Sequence, residues 1–180
     1  IEKREIPGDY LKITQYADEL LSAVTNPDVP NYLAGWPERV RLMPGARTLV
    51  QTMRGAGAAT ILVSGGFTAF AEPVGAEIGF ARVVANVLEI ADGKLMGTVA
   101  RPVVDSATKL AELRGAGVAL PATLAVGDGA NDIPMIEAAG LGIAYHAKPR
   151  TAAAAQAAVH HGDLTVLLYA QGYARKDWAV

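Results

Sequence analysis

Apolar positions along the chain follow two alternating periods. From about Ala46 onward, stretches with helical spacing alternate with short apolar runs rich in β-branched residues. In RTLVQTMRGAG, Leu49, Val50 and Met53 share one helical face, and glycines end the pattern. ATILV then has the length of a strand closed by SGG, and FTAFAEPVGAEIGF is helical again. This alternation predicts an α/β fold with a parallel sheet and flanking helices.

The second half of the chain continues the same alternation around one predicted hairpin. Two β-rich runs, within RVVANVLEIADGKLMGTVARPVV, flank Asp92-Gly93, a turn pair that tolerates positive φ. TLAVGDG and GLGIAYHAKP read as strands, while ATKLAELRGAG and NDIPMIEAAG read as helices. We expect the alanine-rich TAAAAQAAVHH to be helical by propensity, and Asp163 to cap the closing helix.

The first 36 residues have a different pattern. KITQYADELLSAV is amphipathic with helical spacing, and TNPDVPNYLAGWP is broken by three prolines. We therefore divide the chain into an appendage at 1–36 and an α/β core at 37–180. No strand is predicted before Ala58, so we expect the sheet to lack its first strand.

Composition excludes several functional classes. Among 180 residues, 51% are hydrophobic and 19% charged, which suits one packed domain. The net charge is -2 and the sequence contains no cluster of basic residues, so we expect neither nucleic-acid nor membrane partners. No apolar run is long enough to span a bilayer. The absence of cysteine excludes disulfides and thiolate metal sites, and we expect a soluble, cytoplasmic protein.

Two loops that follow predicted strands could carry chemistry, because ligands of open α/β sheets bind beyond the carboxyl ends of strands. In the first, the Ser64 hydroxyl and the amides of Gly65 and Gly66 would meet at a helix N-terminus and favour a phosphoryl group. A simple helix cap with a tight glycine turn is the alternative.

The second loop, GDGAND, brings two carboxylates and an amide to one strand end. Asp128, Asn131 and Asp132 offer hard oxygen ligands, which suit Mg²⁺. A turn with helix-capping carboxylates is the alternative. Lys109, early in the helix after the hairpin, could neutralise a phosphoryl group or could be a solvated surface lysine.

Together, LVSGGF, Lys109 and AVGDGANDIPMIEAAGLGIAYHAKP form an ordered set that resembles the phosphoserine phosphatases of the haloacid dehalogenase superfamily. RLMPGARTLVQTMR, the ANxLEIxDGKLxG hairpin and HGDLTVLLYAQGY extend the resemblance from about Pro37 to Tyr173. The resemblance implies a Rossmann-like parallel sheet, with residues 1–36 as a residual cap. It also implies Mg²⁺-dependent hydrolysis of a small phosphoester, O-phospho-L-serine, through an aspartyl-phosphate in serine biosynthesis.

The resemblance also implies roles for individual residues. Ser64 and the Gly65 amide, with Gly66 beside them, would hold phosphoryl oxygens. Lys109 would pair with the nucleophile and the phosphate, and Asn131 would contact substrate or phosphate. At the metal, Asp128 would ligate Mg²⁺, and Asp132 would orient its waters and Lys109.

One family motif is missing. The family has a first strand ending in D-x-D-x-T, whose first Asp attacks phosphorus, yet no two of the nine aspartates here are two positions apart. We therefore expect these 180 residues alone to be inactive or nearly so. Two other hypotheses remain: a non-catalytic module that binds phosphate or a partner, and a chain that associates through an exposed sheet edge with another chain supplying the first strand.

Overall fold

The computed structural model of the chain describes residues 41–92 and 94–179. The predicted appendage at 1–36, with its amphipathic helix, lies outside the described residues. The boundary at residue 37 lies outside them as well, so both remain predictions. None of the helices in the described part of the chain is long and apolar enough to cross a membrane.

Helices and strands alternate through the described part of the chain. The helices are α1 (Ala46–Gly55), α2 (Thr68–Ile78), α3 (Ser106–Arg114), α4 (Ile133–Ala138), α5 (Pro149–Ala154) and α6 (Val166–Ala170). The strands are β1 (Ile61–Phe67), β2 (Arg82–Asn86), β3 (Leu88–Ala91), β4 (Lys94–Val99), β5 (Leu124–Gly127), β6 (Leu141–Tyr145) and β7 (Ala157–Val159).

The strands form two parallel sheets and one hairpin. β1 pairs in parallel with β2, and β6 pairs in parallel with β5 on one side and β7 on the other. β3 and β4 form an antiparallel hairpin that turns at Asp92, whose φ is 50°. The predicted α/β class and the predicted hairpin are thus confirmed. Within the described residues, the parallel strands make two separate sheets instead of one continuous sheet.

The structure corrects two predictions of local structure. The run before the hairpin contains two strands, since β2 pairs with β1 and only β3 belongs to the hairpin. The alanine-rich run is a helix only as far as Ala154, after which β7 pairs with β6. Gln156 stabilises the extended backbone at this point, because its side-chain oxygen accepts a hydrogen bond from the Gly142 amide and its side-chain nitrogen donates one to the Ala139 carbonyl oxygen. Pairing with an open strand edge thus overrides the helix propensity of alanine.

The hydrophobic core places helices on both faces of the three-stranded sheet. Leu49 of α1 packs with Ile143 of β6 and with Leu167 and Leu168 of α6, all of them buried. The neighbouring Gly142 points to the other face, where an added Cβ would lie 2.0 Å from the Ile136 carbonyl oxygen of α4. Because successive residues of a strand face opposite sides, α1 and α6 cover one face and α4 the other.

Two carboxylates that accept hydrogen bonds from threonines give the fold a pH dependence. Asp105 caps α3, but the predicted cap of the closing helix is wrong: the N-cap of α6 is Thr165, and Asp163 bonds the Thr165 amide in the turn before it. Hydrogen bonds from Thr108 lower the pKa of Asp105, and those from Thr165 lower the pKa of Asp163, both below the ordinary 3.8. The unfolded chain therefore binds more protons in acid, so this stabilisation is complete above 3.8 and is lost as the pH falls through the folded pKa values. We expect the double variant Asp105→Asn, Asp163→Asn, which keeps an acceptor oxygen at each position, to lose less stability than wild type between about pH 6 and pH 3 in urea unfolding. Equal losses in both proteins would contradict this origin of the pH dependence.

Candidate functional site

A buried ion pair lies at the carboxyl end of β5. Asp105 caps α3 by accepting a hydrogen bond of 2.8 Å from the Thr108 amide, and the helix then carries Lys109 inward. The Lys109 Nζ donates to Asp132 Oδ1 at 2.5 Å, and the two side chains are only 8% and 6% exposed. The alternative of a solvated surface lysine is therefore wrong for Lys109.

Asp132 also organises the loop that follows β5. Its second oxygen, Oδ2, accepts hydrogen bonds from the Asp128 amide at 3.1 Å and the Gly129 amide at 3.0 Å. Gly127 leaves room for this carboxylate, since a Cβ there would lie 2.4 Å from the Asp132 Cβ. One buried carboxylate thus fixes both the Lys109 ammonium and the path of the loop.

The two other polar residues of the loop face solvent. Asp128 directly follows β5, and its carbonyl oxygen accepts a hydrogen bond of 3.2 Å from the Lys148 amide, at the start of α5. Asn131 lies in the 3₁₀ turn Ala130–Asp132. Both side chains are exposed, whereas Asp132 is buried. This arrangement leaves Asp128 and Asn131 accessible to a ligand and makes Asp132 a supporting residue.

The Ser64 loop differs from the prediction. Ser64, Gly65 and Gly66 belong to β1, which runs to Phe67, and α2 begins only at Thr68. The pairing with β2 becomes irregular between Val63 and Phe67, so the end of the strand bends. The Gly66 amide donates to the Ser64 Oγ at 3.0 Å. The expected cluster of Ser64, Gly65 and Gly66 at a helix N-terminus is therefore replaced by a bent strand end in which one amide is already paired.

Sequence reasoning missed Asn86, which supports this strand end. Asn86 is buried at the end of β2, where its Nδ2 donates to the Gly65 carbonyl oxygen and its Oδ1 accepts from the Val104 amide, both at 2.8 Å. The only signal in the sequence is a polar residue closing a run of valine and alanine. Its partners lie about 20 residues away in each direction, so the contact follows only from the fold.

The predicted residues thus fall into two groups. The first group is Lys109, Asp128, Asn131 and Asp132 around β5, and the second is Ser64, Gly65 and Gly66 at the end of β1. No hydrogen bond or ion pair between residues of the described part joins the first group to the second. Nor does that part of the chain hold a cluster of three acidic or histidine side chains suited to a metal.

Comparison with known proteins decides the family. A sequence model of the haloacid dehalogenase-like hydrolases matches residues 5–137, well over half of the chain. The chain belongs to the haloacid dehalogenase-like hydrolases. This membership confirms the family and the fold expected from the resemblance.

Relatives of this haloacid dehalogenase-like chain are named phosphoserine phosphatases. One from Streptomyces coelicolor is 46% identical over 142 residues, which are 77% of this chain and 35% of that protein. One from Albidiferax ferrireducens is 37% identical over 168 residues, 89% of this chain and 70% of that protein. The crystal structure of a probable phosphoserine phosphatase from Vibrio cholerae, 40% identical, gives a TM-score of 0.68 over 75% of this chain and 45% of that one. The chain therefore spans about a third of the Streptomyces relative and under half of the Vibrio chain.

In this haloacid dehalogenase-like chain, we expect Asn86→Ala to lower the free energy of unfolding by about 2 kcal/mol, because it leaves the Gly65 carbonyl and the Val104 amide without partners. Urea unfolding followed by circular dichroism measures the change. Thr98→Val is the control: it removes an exposed hydrogen bond to Glu89 and should cost less than about 0.5 kcal/mol. Equal effects of the two substitutions would show that Asn86 does not hold the end of β1.

Proposed function

We propose that the chain carries the phosphoryl-binding and metal-binding part of a phosphoserine phosphatase, which hydrolyses O-phospho-L-serine to L-serine and phosphate. The observation that carries this proposal is the buried Lys109 and Asp132 pair beside the exposed Asp128 at one strand end. Relatives named phosphoserine phosphatases support the choice of substrate. Phosphoryl transfer requires mainly positioning and charge neutralisation, which are what such a group of residues supplies.

Asp132 holds Lys109 in place for this reaction. A buried lysine has lost most of its water, so its position depends on its partner. The Asp132 carboxylate fixes the ammonium at 2.5 Å and is itself fixed by two backbone amides. Lys109 would then offer its remaining protons to a phosphoryl oxygen and to the attacking carboxylate, without reorganising during the reaction.

Ser64 would bind a second phosphoryl oxygen. Its Oγ already accepts a hydrogen bond from the Gly66 amide, so its own proton is available to a further acceptor. The Gly65 amide would act beside it, while Gly66 acts through Ser64. The Asn86 bond to the Gly65 carbonyl keeps this strand end in place.

Mg²⁺ is the metal that fits the exposed oxygen ligands. It takes only one or two protein carboxylates and completes its shell with water and substrate phosphate, so the single exposed Asp128 suits it. Asp132 forms an ion pair with Lys109 and would not bind the metal directly, and Asn131 would contact substrate or phosphate. When bound, Mg²⁺ would supply positive charge beside the phosphoryl group.

The attacking group is absent from the printed sequence, because no D-x-D motif occurs in its 180 residues. Electrostatic groups stabilise a transition state but do not replace a nucleophile. We therefore propose that the 180 residues bind the phosphoester without turning it over. The missing motif equally favours a second candidate function, a non-catalytic module that binds phosphate.

Cytoplasmic location and a place in serine biosynthesis belong to the proposal as well, and the absence of cysteine is compatible with a reducing compartment.

Titration of O-phosphoserine in the presence of Mg²⁺, followed by calorimetry, tests the binding site. We expect Ser64→Ala and Asp128→Asn each to weaken binding about ten-fold, the loss of one hydrogen bond or ion contact to a charged group. Asp92→Asn in the exposed hairpin turn is the matched control and should bind like wild type. Unchanged affinity in both site variants would overturn the assignment of these residues.

A further inference from the structure

A cavity of about 370 Å³ lies between the end of α1 and the segment that follows α6. None of the residues of the candidate site lines it. α1 ends at Gly55, a few residues before β1 begins at Ile61, so the cavity lies toward the amino end of β1. The candidate site lies around the carboxyl ends of β1 and β5. A molecule in the cavity would therefore not contact the residues assigned to the phosphoester.

Contacts between distant parts of the chain hold the walls of the cavity in place. The hydroxyl of Thr52, a buried residue of α1, accepts a hydrogen bond of 2.8 Å from the Ala179 amide. Trp178 packs against the core cluster that contains Leu49, and its ring meets the Tyr169 ring edge-to-face with 4.9 Å between the centroids. Since packing already fixes these walls, a ligand binds without having to order them.

Gly55 leaves space on the α1 side of the cavity. A Cβ at this position would meet no atom within 4 Å, and the φ of Gly55 is not positive. Neither the backbone conformation nor a close neighbour therefore requires glycine here, although glycine weakens a helix relative to alanine. The missing side chain keeps the cavity open at this wall.

The side chains that line the cavity favour a cation. Among the described residues of the lining, Asp177 alone is charged. Asp177 is exposed and forms no ion pair within residues 41–92 and 94–179. Two aromatic residues, Tyr173 and Trp178, line the cavity as well. The faces of aromatic rings carry negative charge density and attract cations, tryptophan most strongly. One carboxylate and two rings thus offer negative charge and apolar surface together.

We propose that this cavity binds a small alkylammonium compound, whose charged group lies between the Asp177 carboxylate and the rings of Tyr173 and Trp178. The carboxylate pairs with the positive charge, and the rings contact the alkyl groups that surround it. A volume of about 370 Å³ is at the small end of the range for ligand sites, which suits a compound of the size of choline. The site is separate from the phosphoester site and does not depend on it.

Titration of the 180-residue chain with choline, followed by NMR, tests this site. The reporter is the indole N–H resonance of Trp178, whose Nε1 is buried without a hydrogen-bond partner among the described residues, and Trp178→Phe identifies that resonance. We expect a saturable shift with a Kd of about 1 mM. The matched ligand is 3,3-dimethyl-1-butanol, which has the shape of choline without its charge and should bind at least about ten-fold more weakly.

Two variants test the role of the carboxylate. Asp177→Asn removes the charge at an exposed position and should weaken choline binding about three-fold. Asp92→Asn, in the exposed hairpin turn, is the matched control and should bind choline like wild type. Equal binding of choline and the neutral alcohol would overturn the proposal, as would unchanged affinity in Asp177→Asn or the lack of a saturable shift. Displacement of choline by O-phosphoserine would also contradict it, since choline would then lie at the phosphoester site.

Discussion

Replacing Lys109 by methionine should lower the free energy of unfolding by about 3 to 5 kcal/mol, the usual result of leaving one charge of a buried ion pair without its partner. The Asp132 side chain is only 6% exposed and would lose the ammonium that pairs with it. A loss of this size corresponds to a fall in melting temperature of about 6 to 20 °C in a chain of this length. Urea unfolding and thermal melting measure it.

Two further variants distinguish the effect of leaving Asp132 without its partner from the effect of replacing any charged side chain. Arg47→Met breaks an ion pair at the surface, in which the Arg47 side chain is 55% exposed and the Glu77 side chain 50%. It should lower the free energy of unfolding by about 1 kcal/mol or less. The double variant Lys109→Met, Asp132→Asn removes both charges and should recover part of the stability that Lys109→Met loses. If Lys109→Met unfolds like Arg47→Met, the pair does not organise the site.

Replacing Gly127 by alanine should be nearly as damaging, with a loss of about 3 kcal/mol. The new Cβ would lie 2.4 Å from the Asp132 Cβ and 2.6 Å from its Oδ2. Asp132 has no free direction in which to move, because its oxygens hold Lys109 and two loop amides. The variant should therefore also bind O-phosphoserine more weakly, as measured by the same titration.

Gly55→Ala is the matched control for this substitution. Gly55 ends α1, an added Cβ there meets no atom within 4 Å, and its φ is not positive. The substitution should leave the free energy of unfolding unchanged or raise it by up to about 1 kcal/mol, because alanine lowers the conformational entropy of the unfolded chain. A wild-type stability for Gly127→Ala would contradict the packing of Asp132 against β5.

Local signals in the sequence were sufficient for much of the fold. Leu49 and Val50 lie on the buried side of α1, as their spacing predicts, and Asp92 forms the hairpin turn. The placement of Asp128 directly after a strand is also as predicted. These features depend on residues within one or two turns of each other, which is the range over which periodicity and turn chemistry act.

Features that depend on distant partners could not be read from the sequence. Ala157 joins a strand because β6 presents an open edge, although alanine favours helix. Ser64 and Gly65 sit in a bent strand end that Asn86 supports from another strand. The sequence predicts a sheet without its first strand, but only the structure shows that, within the described residues, β1 and β2 form a sheet separate from that of β5, β6 and β7.

Phosphate release from O-phosphoserine with Mg²⁺ tests the central claim most directly. The assay compares the 180-residue chain with a chain extended by a family N-terminal strand, ending in D-x-D-x-T, and its cap. We predict background release from the 180 residues and turnover by the extended chain, because the residues around β1 and β5 would then receive the missing nucleophile. Comparable turnover by the unextended chain would contradict this account, since another group would have to attack phosphorus.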